Sequence, residues 1–287
     1  MNIIFSDVDG TFQEIGLDVP QINVQAIHAL QERGDRFVFV TGRGYDLVQH
    51  MSAELEIDCD VIFGNGAGLK EIGQYERYTS TLNRLDVRNI LKTLDDYQLL
   101  YFVHTDQGVF IRPLANYTEQ LVALEKRLHE VSPQGEQIMV YKIDYFENSC
   151  THVDNIGTYL VDHPEIQIVK IEMMDGNDEK LTKVRQIFEK EPWFVFQSFV
   201  QTLEIVHPQS TKGSAIKRYL QKYPNATTYG IGDGENDLTM LQAVDVPVAV
   251  ANATDQVKEL SKVIAPACAD GGVGRFIFEN ILVEERV

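Results

Sequence analysis

Two acidic clusters follow apolar runs at opposite ends of the chain: Asp7-Val8-Asp9-Gly10-Thr11, and Gly232-Asp233-Gly234-Glu235-Asn236-Asp237. A carboxylate can attack phosphorus to form an acyl phosphate, which water then cleaves. Asp7 is the candidate nucleophile. A second carboxyl group must protonate the leaving alcohol and later activate the water. Asp9 is placed for both tasks, because residues two apart leave a strand on the same face while Val8 points the other way. An anionic nucleophile and an anionic phosphate repel, and converging carboxylates repel one another. A hard dication with oxygen ligands removes both obstacles, which points to Mg²⁺. Asp7 and Asp233 are the candidate side-chain ligands, with the main-chain carbonyl of Asp9 as a third.

Two further signals lie between the clusters. Thr41 offers a hydroxyl, and Gly42 beside it allows the backbone to approach a phosphate oxygen closely. Lys212 offers a compact positive charge. Asn236 is a neutral donor for a phosphate oxygen or for Asp7, and Asp237 is placed to position Lys212. Arg43 and Asn65 have two readings each, loop structure or substrate contact. Plainer readings exist for the others. Asp-x-Asp-Gly-Thr alone is turn chemistry, Thr41 suits a helix cap, and Lys212 has Lys217 and Lys222 close by as ordinary surface lysines. Four such signals in order, each after a predicted strand or at a helix start, favour one phosphotransfer site.

These residues need strands to carry them. Asn2–Ser6 reads as a buried strand, since its apolar residues are continuous rather than alternating. A helical pattern opens after Pro20 and stops at Gly34. Strands at 36–40 and 60–63 follow, with a helix between them. The same grammar returns late, with helices at 214–223, 236–243, 254–261 and 273–280 around strands at 227–231, 246–250 and 262–265. Alternating strands and helices predict parallel βαβ units, whose ligands bind at the carboxyl ends of the strands. The middle reads differently. It has helices at 86–97, 117–129, 151–161 and 179–189, and strands at 99–105, 109–112, 138–143, 167–173, 193–199 and 202–206. The expected architecture is α/β: a Rossmann-like parallel-sheet core from residues 1–80 and 207–287, interrupted by an α+β domain at 81–206.

Composition narrows the partners. The chain has 287 residues and a formal net charge of −18. Such a field disfavours nucleic acid and anionic membranes, so any phosphate site must be locally positive. Cys59, Cys150 and Cys268 are isolated, as expected of reduced thiols in a cytoplasmic protein. The strand pattern begins within two residues of the N-terminus, leaving no room for a signal peptide, and no apolar run approaches a membrane span. Asp95-Asp96 and Glu284-Glu285 read as solvated acidic pairs. Gly64-Asn65-Gly66-Ala67-Gly68 lacks the third glycine of a dinucleotide fingerprint, and no phosphate-loop Gly-Lys-Ser/Thr occurs.

The motifs Asp7–Thr11, Thr41-Gly42-Arg43, Lys212-Gly213 and Gly232–Asp237 resemble, in order, the four motifs of the haloacid dehalogenase superfamily. The insert is similar to the type II cap of the Cof-like, subfamily IIB sugar phosphatases. Asn65-Gly66-Ala67 and the Val-Ala-Val-Ala-Asn-Ala stretch at 248–253 resemble segments of that subgroup. The resemblance implies Mg²⁺-dependent hydrolysis of a small phosphate monoester through an aspartyl phosphate, with the cap domain choosing the substrate. Paired aspartates mark the phosphatases rather than the dehalogenases proper. Phe12-Gln13 departs from the leucine usual there. The expected partner is a small phosphorylated metabolite, such as a sugar phosphate, bound by a monomer or homodimer. Two rivals share the motifs: a phosphomutase or phosphotransferase using Asp7, and a non-enzymatic sensor of phosphometabolites.

Overall fold

The computed structural model describes residues 1–14 and 16–283; the Glu284-Glu285 pair lies outside them. In chain order the strands and longer helices are β1 (Asn2–Ser6), α1 (Gln21–Glu32), β2 (Arg36–Val40), α2 (Tyr45–Glu54), β3 (Asp60–Phe63), β4 (Gly68–Lys70), β5 (Arg77–Tyr78), α3 (Arg84–Asp96), β6 (Leu100–Thr105), β7 (Gly108–Ile111), α4 (Thr118–Val131), α5 (Gly135–Asn148), β8 (Cys150–His152), α6 (Ile156–Asp162), β9 (Ile168–Met174), α7 (Asp178–Phe188), β10 (Phe194–Phe199), β11 (Thr202–Val206), α8 (Lys212–Leu220), β12 (Thr227–Gly232), α9 (Leu238–Leu241), β13 (Val246–Val250), α10 (Asp255–Leu260), β14 (Val263–Ala265) and α11 (Gly272–Asn280). The chain divides into two compact units, Met1–Thr79 with Gln209–Val287, and Ser80–Pro208.

The first unit is a sheet in the order β14-β13-β12-β1-β2-β3-β4-β5. From β14 to β3 every pairing is parallel, and the β4 and β5 additions are antiparallel. Alternation along the buried strands feeds two apolar layers. Ile4, Phe37 and Phe39 pack with α1, α2, α10 and α11, while Ile3, Phe5, Val38 and Val40 pack with α8 and α9. Continuous hydrophobicity in β1 and β2 is therefore what a strand covered on both faces requires. The chain runs outward from β1 through β2 and β3, then returns to pair β12 against β1 and runs outward the other way. That reversal between β1 and β12 is the topological switch point where open α/β sheets bind ligands.

The second unit is a six-stranded sheet in the order β10-β11-β9-β6-β7-β8, antiparallel except between β7 and β8. Tyr101 and Val103 face a layer built with α3, α6 and α7, and Leu100 and Phe102 face α4 and α5. Three predicted elements differ here and in the first unit. Residues 138–143, expected as a strand, lie inside α5. Their β-branched and aromatic run suggested extension, but Met139 and Phe146, seven apart, are buried on one side while Val140 and Tyr141 are exposed. That is helical periodicity. The predicted helix at 151–161 is instead β8 followed by α6, because Asn155 caps the helix by accepting from the Thr158 N–H at 2.8 Å. The helix expected at 236–243 is a 3₁₀ turn over Glu235–Asp237 followed by the short α9. No helix among the described residues is long and apolar enough to cross a membrane.

Candidate active site

Because β1, β2 and β12 are neighbours and parallel, Asp7, Thr41 and Asp233 leave the sheet along one edge. Lys212 comes from a different direction, as the first residue of α8. Thr211 caps that helix, accepting from the Ser214 N–H at 3.1 Å. The Lys212 ammonium is fully buried and donates to Asp7 Oδ1 at 2.5 Å and to Asp237 Oδ1 at 2.6 Å. The surface-lysine reading is thereby excluded. Asp237 is also fully buried, and its other oxygen accepts the N–H groups of Asp233 and Gly234 at 2.9 and 3.0 Å. Asp237 thus ties Lys212 to the turn that carries Asp233.

Oxygens of Asp7, Asp233 and Asp237 all lie within 4.8 Å of one another. Both Asp237 oxygens are engaged by Lys212 and the backbone. Asp7 and Asp233 each keep one oxygen, Oδ2, without a hydrogen bond among the described residues. Burial, with the charges of Asp237 and Asp233, pushes Asp7 well above the usual carboxylate range, against the pull of Lys212. Burial and the Asp237 charge push Asp233 up to about 7. For Lys212, burial works against its charge, but Asp237 and Asp7 outweigh this and raise its pKa. One ammonium does not balance three clustered carboxylates, two of them buried, and an oxygen-seeking dication matches both the excess charge and the two open oxygens.

Asp9 is occupied differently. Arg43 grips its carboxylate with two bonds, Nε to Oδ2 at 2.8 Å and Nη2 to Oδ1 at 2.6 Å. Of the two readings for Arg43, the structure supplies a third contact that neither named, a bidentate ion pair with Asp9. The Thr41 hydroxyl accepts the Arg43 N–H at 3.1 Å, and its carbonyl accepts the Asn65 N–H at 2.8 Å. Asn65 is buried in a left-handed conformation, φ 55°, that asparagine tolerates better than most residues. Asn236 donates to Asn65 Oδ1 at 3.3 Å rather than to Asp7. Gly42 lies against the Asn65 amide, where a Cβ would come to 3.1 Å. The loops after β2, β3 and β12 therefore interlock through Thr41, Asn65 and Asn236.

Sequence reasoning passed over Thr11. Its hydroxyl donates to Asp233 Oδ1 at 2.6 Å, joining the two acidic clusters directly. The preceding Gly10 has φ +81°, and a Cβ there would sit 2.6 Å from Asp233 Oδ2. Glycine is required both for the turn and for the approach of Asp233. The repeated Asp-Gly pattern was the available signal for this contact, but only the pairing of β1 with β12 reveals it.

Residues 4–277 match the model of the haloacid dehalogenase-like hydrolase family. The chain is 26% identical to the 5-amino-6-(5-phospho-D-ribitylamino)uracil phosphatase YwtE of Bacillus subtilis, over 96% of this chain and 97% of that protein. A haloacid dehalogenase-like hydrolase structure from B. subtilis superposes with a TM-score of 0.85 at 22% identity, covering 98% of this chain and 100% of the other. The subclass IIB sugar phosphatase BT4131 shares the fold at a TM-score of 0.75 and 16% identity, covering 99% and 100%. With the family's model spanning both acidic clusters and everything between them, this chain belongs to the haloacid dehalogenase-like hydrolases.

Proposed function

We propose that this chain, a phosphoric monoester hydrolase, cleaves small phosphate monoesters of the sugar-phosphate kind in a Mg²⁺-dependent reaction through an aspartyl phosphate on Asp7. The observation that carries this reading is the buried Asp7–Lys212–Asp237 chain beside Asp233, at the switch point of the sheet. Lys212 fixes Asp7 through Oδ1, and the Asp7 carboxylate attacks phosphorus. The P–O bond to the alcohol breaks as the Asp7–P bond forms, and the alcohol takes a proton from Asp9. Asp9 then removes a proton from water, which attacks phosphorus and returns Asp7 as a carboxylate with release of inorganic phosphate. Asp7 and Asp233, with the Asp9 carbonyl, would hold Mg²⁺, which supplies charge neutralisation for nucleophile and phosphate. Thr41, Gly42 and Lys212 are the groups proposed to meet phosphate oxygens, with Arg43, Asn65 and Asn236 completing the surrounding loops. YwtE, by its name, acts on a phosphorylated ribityl chain, which supports the sugar-phosphate class.

The test is phosphate release from a panel of sugar phosphates, nucleotides and flavin phosphates, with Mg²⁺, with EDTA and with Asp7→Asn. The expected result is release that requires both Mg²⁺ and Asp7. Release that persists in Asp7→Asn would overturn the covalent route. Isomerised sugar phosphate without free phosphate would replace hydrolysis by a mutase reaction.

A further inference from the structure

We propose that Asn23 and Asn252 are positioning residues for the turn that carries Asp9, acting by stapling that turn to the C-terminal segment. The proposal rests on the reading of Asp9 as acid and base given above. The turn is closed on itself by the Val8 carbonyl, which accepts from Phe12 and Gln13 N–H at 2.9 Å each, and by Gly10 N–H to the Gln13 carbonyl at 2.8 Å. The carbonyls of Gly10 and Phe12 take no part in this ring. Asn252 Nδ2 donates to the first at 2.8 Å and Asn23 Nδ2 donates to the second at 2.9 Å.

Each amide then uses its oxygen on the same distant segment. Asn252 Oδ1 accepts the Cys268 N–H at 2.8 Å, and Asn23 Oδ1 accepts the Gly274 N–H at 2.7 Å. Gly274 is in the first turn of α11, where backbone N–H groups lack helical partners, and the helix is preceded by Gly271, which has no side chain to cap it. Asn23 therefore serves as a borrowed cap for α11 while it holds the Asp9 turn. The consequence reaches the chemistry by a short path. Fixing the Gly10–Thr11 peptide fixes Thr11, whose hydroxyl sets Asp233. One staple thus orients both the proposed acid/base and a proposed metal ligand, and these two amides have no hydrogen bond to the Asp7, Lys212 or Asp237 side chains.

Asn252 is exposed and Asn23 is fully buried, so Asn252→Ala is the variant certain to leave the core intact, and Asn23→Ala is its stronger counterpart. Two readouts are needed. Amide hydrogen exchange of residues 8–13 needs no activity. It should accelerate in Asn252→Ala, with the exchange of residues 80–208 unchanged. Steady-state kinetics with Mg²⁺ should show kcat lowered about tenfold, less than a full ångström of misplacement costs, with KM within about twofold of the parent. Unchanged exchange at 8–13, or unchanged kcat, overturns the staple. A rise in KM that accounts for the whole loss does so too, because it would place Asn252 in binding. A parent protein inactive on every phosphate ester would defeat the proposed function and still leave the exchange measurement to decide whether the turn is held in this way.

Discussion

At the residue scale, the site is an imbalance of charge. Lys212 is buried between two carboxylates. Replacing it with methionine leaves those carboxylates buried without their counter-charge, which costs about 3–5 kcal/mol. Activity should fall about 10²–10³-fold, as when one preorganised donor to a reacting group is lost. Thermal unfolding and turnover of Lys212→Met, measured side by side, check both; a variant as stable as the parent would mean that the carboxylates had simply taken up protons. The pH dependence follows from Asp233, which stands near 7 in the folded chain against an ordinary value of 3.8. Between those values the folded chain keeps a proton that the unfolded chain has lost, so this contribution to stability declines as pH rises through the window. Mg²⁺ needs the ionised form. The gain in melting temperature on adding Mg²⁺ should therefore grow from about pH 5 to about pH 7.5, relative to EDTA. A gain that is flat across that range would remove Asp233 from the proposed metal ligands.

At the element scale, the site depends on how closely helices approach one another. Gly213, next to Lys212, lies against α9, where an added Cβ would fall 2.0 Å from the Thr239 carbonyl oxygen. Its N–H meanwhile donates to the Thr239 hydroxyl at 3.1 Å. Gly213→Ala should push α8 from α9, cost about 1–3 kcal/mol, and move Lys212 off Asp7. The expected signature is a loss of kcat larger than the loss of stability alone explains; an alanine variant with parental kcat would show that α8 yields elsewhere. Elements were legible in the sequence where the local pattern alone decided them. The buried strands β1, β2, β3 and β13 announced themselves by unbroken apolar runs, and so did the residues at their ends. Residues 138–143 did not, because Ile138, Val140 and Ile143 favour strands locally and only the packing of α5 beside α4 makes the segment helical. The Arg43–Asp9 pair and the Thr11–Asp233 bond were equally hidden, since each joins residues whose neighbourhood exists only once the sheet has its order.

At the scale of the whole molecule, an acidic chain holds a site for anions. The net charge of −18 repels a phosphate ester at long range, while the proposed contacts of Lys212 and Mg²⁺ with its oxygens act only at close quarters. Added salt screens the long-range part first. The rate constant kcat/KM for a sugar phosphate should therefore rise between about 10 and about 150 mM KCl at fixed Mg²⁺. A steady fall would mean that the local positive field governs capture.

The return of the chain to pair β12 against β1 also sets a timetable. During synthesis β1, β2 and β3 leave the ribosome first, yet the inner edge of β1 has no partner until β12 follows, after all of Ser80–Pro208 has been made. The whole of the second unit is complete before the first unit can close, and domains tend to fold as they emerge. Until then the nascent chain displays an open, strongly apolar strand edge, the kind of surface that recruits wrong partners. Asp7, the proposed nucleophile, thus waits at the edge of an unfinished sheet, and the stretch that follows Pro208 both completes that sheet and brings its counter-ion, Lys212.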